Sequence, residues 1–180
     1  MSKGVTGLNI AAPASSRKKI ADLASYIRKI SGLENETFFP IVNFIEWILG
    51  DPDNSEFNYE IVEPEEMKDM YGNTNTGTNV MRIRRDVYDR AVQGSPRDRF
   101  TLCHELGHYL MHRPEIMLYA RGEIPRYCDP EWQANTFAGE LMAPYELIKD
   151  MSVEEIMENC GMSRQAASIQ YRECRKRMYQ

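Results

Sequence analysis

His104-Glu105-Leu106-Gly107-His108 is the segment of this chain whose residue types can do chemistry together. It lies within Phe100–His112, where Leu102, Leu106, Tyr109 and Leu110 recur at the spacing of one helix face. Four positions on a helix advance it by about one turn, so His104 and His108 stack on one side and can aim both imidazoles at a single ion. Glu105 projects beside them, towards a water on that ion. Two histidines and a glutamate in this order form the pattern of a zinc hydrolase. The same apolar face would also suit an ordinary core helix with two hydrogen-bonded histidines, so the reading depends on a further ligand.

A catalytic zinc takes three protein ligands and keeps a fourth position for water. His112 lies eight residues beyond His104, roughly 12 Å along the helix axis, too far to share an ion held about 2 Å from both nitrogens. It reads instead as the last helical turn, partly charged and favoured by the macrodipole, before Pro114 stops the helix. Met111 and Pro114 also stand where the metzincin extension of the motif needs Gly and a third His. Downstream, Glu131–Pro144 reads as a second helix with Ala134, Phe137, Ala138 and Leu141 as its buried stripe. Its alanines allow close approach to the motif helix, and Glu131 in its first turn faces the site. Asn135, one turn on, is placed to bond the second nitrogen of a ligand histidine and fix its tautomer. Glu140 and Cys128 are rival ligands. Glu140 falls further along the helix and reads as a solvated charge, whereas Cys128 sits in a loop, a poor platform for a catalytic ligand.

Two blocks in fixed order now stand out: Arg99–His108, and Glu131-x-x-Ala134-Asn135-x-Phe137-Ala138 followed by Leu141-Met142-Ala143-Pro144. Over roughly residues 79 to 150 the chain resembles the ImmA/IrrE family of metallopeptidases. The resemblance implies zinc bound by His104, His108 and Glu131, with Glu105 as catalytic base. It also implies a narrow protease that cleaves a helix-turn-helix repressor or antitoxin, often encoded nearby on a mobile genetic element, and so derepresses genes. Cys103 replaces the family's usual Ala, and Met142-Ala143-Pro144 its usual Leu-Met-Pro, but neither change touches an implied ligand.

Other elements must hold these helices. Residues 1–16, with Gly, Ala, Pro and Ser, read as a flexible leader. Ile20, Leu23, Ala24, Ile27 and Ile30 mark a helix over residues 18–31, and Phe38–Leu49 reads as another, with Pro40 at its first position. Residues 57–62 and 79–84 alternate as strands, with the polar run Gly72–Asn79 as a turn or loop between them. The expected fold is α+β: a small twisted sheet packed against the two site helices over residues 17–150. It resembles the zincin plan, in which a sheet edge beside the cleft pairs with an extended peptide.

Residues 151–180 have the outline of a helix-turn-helix, with Ser163 capping the second helix. Arg164, Arg172, Arg175, Lys176 and Arg177 could meet phosphates, which supports an alternative: a regulator that binds DNA or a protein partner and carries a structural or degenerate metal site. Against DNA stand Glu154, Glu155 and Glu158 on the preceding helix and a net charge of −5 over 180 residues. A helical pair that packs on the catalytic domain or receives a protein is the preferred reading. No apolar run approaches the ~18 residues of a membrane span and the start lacks a secretory core, so a cytoplasmic protein is expected. The four cysteines show no C-x-x-C spacing and read as reduced thiols. An oxyanion donor is also needed, for which Tyr88, Tyr119, Tyr127 or an arginine are candidates.

Overall fold

The computed structural model describes residues 8–49 and 58–178. Strand β1 (Leu8–Ala11) comes first, then helix α1 (Arg17–Ile30), which Ser16 caps by accepting from the Lys19 backbone N–H. Of the stripe read from the sequence, α1 buries Ile20, Ala24 and Ile27 against the second site helix and half-buries Leu23, whereas Ile30 is exposed. A leader running to residue 16 is thus corrected. Ile10 and Ala11 pair antiparallel with Tyr119 and Leu118 of a later strand, and Ala12 and Ser15 donate to the carbonyls of Cys128 and Tyr127. Residues 1–7 lie outside the described residues.

The apolar run after Pro40 is only briefly α-helical. Helix α2 (Ile41–Asn43) continues as a π-helical stretch, Phe44–Leu49, and Pro40 is the cap residue rather than the first helical one. Phe39, Ile41, Phe44 and Ile45 are buried.

Strands β2 (Asn58–Val62), β3 (Gly72–Asn75) and β4 (Val80–Arg84) form one sheet in the order β2-β4-β3, with the short helix α3 (Pro64–Met67) between the first two. β2 runs parallel to β4 and β3 antiparallel to it. Met81 and Ile83 are fully buried while Arg82 between them is exposed, the period of two expected of a half-covered strand. The expected loop at Gly72–Asn79 is corrected: its first half is a strand and only residues 76–79 turn. Asn75 Oδ1 accepts from the N–H groups of Gly77 and Thr78, an Asx turn that closes the β3–β4 hairpin. Polar composition concealed β3 because it is an edge strand, where only one side of the backbone needs a partner.

Helix α4 (Arg85–Val92) leads through Gly94, at φ +88°, into the motif helix α5 (Pro96–Met111). Pro96 occupies its first turn, where a missing N–H costs nothing. After strand β5 (Leu118–Arg121), Asp129 caps α6 (Pro130–Met142) by accepting from the Glu131 N–H. α5 packs along α6, and Gly107 is what permits it. A Cβ there would stand 3.0 Å from Phe137 Cδ1 and 3.2 Å from Ala134 Cα.

The chain ends in α7 (Tyr145–Ile148), α8 (Val153–Cys160) and α9 (Arg164–Met178). Ser152 and Glu155 form a full capping box on α8, and Gly161 stops it at φ +62°. Ile156, Cys160, Met162, Ala167 and Cys174 belong to the same apolar core as Leu102, Leu106 and Phe137. Two buried guanidinium groups join separate segments through backbone carbonyls: Arg28 donates to the carbonyls of Leu141 and Glu36, and Arg99 to those of Phe39, Cys160 and Gly161. The four cysteines are free thiols, and burial pushes the Cys103 thiol up to about 12. No helix among the described residues is long and apolar enough to cross a membrane.

Candidate metal centre

The 3.6-residue repeat of α5 brings His104 and His108 to one face, with Nε2 of each 3.0 Å from the other. From the first turn of α6, Glu131 places its carboxylate oxygens 3.4 Å from His104 Nε2 and 3.3 Å from His108 Nε2. These three residues form a group whose donor atoms all lie within 4.8 Å of one another and could hold a metal ion. Ligand atoms about 2.0–2.1 Å from a tetrahedral ion stand ~3.3–3.4 Å apart, so two imidazole nitrogens and a carboxylate at these spacings fit zinc in both chemistry and size. Rotation about the side-chain bonds of Glu131, which is largely exposed, supplies any final adjustment.

Electrostatics point the same way. Hydrogen bonds from His104 and His108 hold the Glu131 carboxyl well below its usual range. Burial pulls the His104 imidazole down, but the bond to Glu131 and the charges of Glu105 and Glu131 outweigh it, and the net displacement is upward. Without metal, the cage therefore attracts a proton, as a cation site should.

The outer nitrogens are also engaged. His104 Nδ1 donates to Asn135 Oδ1 at 3.1 Å, the contact expected from the sequence. His108 Nδ1 lies 2.9 Å from His112 Nδ1, and His112 Nε2 lies 3.0 Å from Gln133 Oε1. The reading of His112 as a partly charged terminal histidine is thereby corrected. It does end the helix, but it is buried, and desolvation takes its pKa down to about 4. Gln133 escaped sequence reasoning, because a spacing of two from both Glu131 and Asn135 sets it on another face of α6, and only the arrival of His112 reveals its role.

Glu105 is 7 % exposed and turns towards the sheet. Its Oε2 accepts from Thr74 Oγ1 at 2.7 Å, and Gly72 lies so close that a Cβ there would stand 2.7 Å from Glu105 Cγ. The cleft over the centre, about 600 Å³, has Gly72, Asn73 and Thr74 of β3 as one wall and α5 and α6 as the others. Tyr71 also lines it and was missed. Of the tyrosines considered as oxyanion donors, Tyr88 gives its hydroxyl to Glu46 and Tyr127 is half-exposed beyond the cleft lining, while the Tyr119 side chain lies outside the described residues.

Glu140 does not reach the centre, and the reading of it as a solvated charge is corrected. It is 3 % exposed and paired with Arg17 at 2.8 Å and Arg177 at 3.1 Å. Burial raises its pKa in spite of those two cations. Cys128 sits in a short 3₁₀ turn, and its carbonyl accepts from Ala12. On the last helices, Arg164 pairs with Glu154, Lys176 with Glu173 and Arg177 with Glu140, while Arg175 lies over the Tyr171 ring.

A family model described as Peptidase_M78, the IrrE N-terminal-like domain, matches residues 64–170. The span takes in β3, both histidines, Glu105 and Glu131, and the chain belongs to this peptidase family. No curated protein sequence matches it.

Proposed function

We propose that this protein is a zinc-dependent endopeptidase with a zincin-like catalytic unit, acting in the cytoplasm on one specific protein, a helix-turn-helix repressor or antitoxin. The observation that carries the catalytic part is the meeting of His104, His108 and Glu131 beneath a cleft whose wall is an edge strand, with Glu105 held at that wall. Zinc bound there supplies Lewis acidity, which polarises the scissile carbonyl and brings the pKa of a water towards ~7.

The chain's own residues do the remainder. Glu105 takes the proton of the attacking water and returns it to the leaving amine. Thr74 and Gly72 keep that carboxylate in one orientation against β3. The outer edge of β3, unpaired among the described residues, offers backbone groups to an extended substrate segment, as in strand addition. Asn135 holds His104 with Nε2 turned inward.

The test combines metal analysis with cleavage. Purified wild type should carry about one zinc per chain, lost in His108→Ala and Glu131→Ala and kept in Glu105→Gln. Incubation with the repressor encoded beside the gene should yield two fragments with wild type and none with Glu105→Gln. A chain that takes up no zinc, or a Glu105→Gln variant that cleaves at the wild-type rate, would overturn the reading.

A further inference from the structure

Behind the centre, a chain of hydrogen bonds has its direction fixed at the far end. The Gln133 side-chain nitrogen lies 2.8 Å from the carbonyl oxygen of Pro13 and 2.8 Å from that of Tyr127. Carbonyl oxygens only accept, so both amide protons point at them and Oε1 points at His112. That oxygen only accepts as well, so His112 Nε2 must carry a proton. A buried imidazole with no carboxylate bonded to it favours the neutral form, which leaves a lone pair on Nδ1. A lone pair needs a donor, so His108 Nδ1 carries the next proton, and when a metal ion takes the place of the proton facing Glu131 the lone pair of His108 is left on Nε2, the atom that faces His104 and Glu131.

We propose that His112 and Gln133 are positioning residues for the metal. They hold His108 in the Nδ1–H tautomer, the only neutral form able to ligate through Nε2, and they take their own direction from the backbone at Pro13 and Tyr127. The proposal rests on the zinc reading above. It also gives α6 a composite role, because Glu131, Gln133 and Asn135 at successive alternate positions supply a ligand, the brace of His108 and the brace of His104. The segment following β1 thereby becomes part of the support of the centre.

The test uses the full chain loaded with zinc and does not require a substrate. Long-range ¹⁵N NMR of the imidazoles in wild type should report His112 protonated on Nε2 with Nδ1 unprotonated. Competition with a chromophoric chelator should show zinc affinity ten- to a hundredfold weaker in His112→Phe. His112→Asn, whose side-chain oxygen can replace the lost acceptor, should recover most of it. Gln133→Met should weaken affinity less and leave His112 exchanging between tautomers. His112 protonated on Nδ1 in wild type overturns the proposal, as does a folded His112→Phe with wild-type affinity, or Asn performing no better than Phe. If His112→Phe does not fold, the wild-type tautomer and Gln133→Met decide. A wild type that binds no zinc would sink the metal reading itself, whereas zinc uptake indifferent to these variants would sink only the brace.

Discussion

Thr74 Oγ1 stands 2.7 Å from Glu105 Oε2 and 3.1 Å from the Glu105 carbonyl oxygen, so the middle of an edge strand grips the residue between the two histidines. One hydroxyl thereby sets both the side chain and the depth of the helix against the sheet. Thr74→Val keeps the shape and removes the donor. A hydrogen bond to a charged group is worth about 1.5–3 kcal/mol, but only the share that orients Glu105 in the transition state appears in turnover. The expected result is kcat lower by roughly tenfold, or about 1.4 kcal/mol, with zinc content unchanged. An unaltered kcat in side-by-side cleavage assays would show that Thr74 does not hold the base.

Gly72 has a stricter role. An added methyl at 2.7 Å from Glu105 Cγ and 2.9 Å from Oε1 must displace that side chain, because no real Cβ sits so close. Misplacing a catalytic group by about 1 Å costs on the order of 10²-fold. Gly72→Ala is therefore expected to lose more activity than Thr74→Val while binding zinc normally. Loss of zinc as well would mean that the strand supports the whole centre and not Glu105 alone.

On the zinc reading, protons and the metal compete for the same atoms. In the metal-free protein the His104 pKa stands above its ordinary 6.5, raised by Glu131 and Glu105 against the opposing effect of burial. A histidine raised on folding stabilises the protein fully below its unfolded pKa and loses that stabilisation as pH climbs through the folded value. The metal-free chain thus gains stability from this group towards about pH 6, where zinc must displace a proton to bind. The rise in melting temperature on adding zinc should shrink between about pH 8 and pH 6. A rise that is constant over that window would contradict the coupling.

Arg99, 2 % exposed, donates to Phe39 O at 2.9 Å, Gly161 O at 2.8 Å and Cys160 O at 3.3 Å, and lies 3.8 Å over the Phe38 ring. It joins the motif helix to the end of α8 and to the turn before α2. Arg99→Met fills similar space but strands three buried carbonyls, each costing about 1–3 kcal/mol, so a loss of ~3 kcal/mol or more is expected in urea unfolding. A change below about 0.5 kcal/mol, the level of an ordinary surface substitution, would show that water replaces the guanidinium.

Much of this was readable in advance because it is local. His104, His108 and the stripe of α6 follow from helical period alone, and Ser163 caps the start of α9. What escaped was set by distant partners. Glu140 reads as a surface charge until Arg17 and Arg177, at opposite ends of the chain, converge on it. His112 reads as a helix end until Gln133 arrives from another helix. β3 has no apolar alternation to reveal it, because Gly72 and Thr74 were placed to meet Glu105 and not to fill a core. Gly107 looks like a weak point in a helix until the close approach of Phe137 and Ala134 explains it.

The pairing of β1 with β5 carries a consequence for the order of assembly. Asn9 bonds Gly122 across 113 positions and Gln133 bonds Pro13 across 120, whereas His104 and Asn135 are only 31 apart. Closing a longer loop costs more chain entropy, and contacts distant in sequence form late. The three side chains of the candidate metal centre are therefore expected to gather ahead of the β1–β5 pairing. β1 must close a loop of more than a hundred residues to reach β5, and its docking brings the Pro13 carbonyl to Gln133. The cage and the inner links of its brace are thus local, and the anchor at Pro13 is the last part of the centre expected to close.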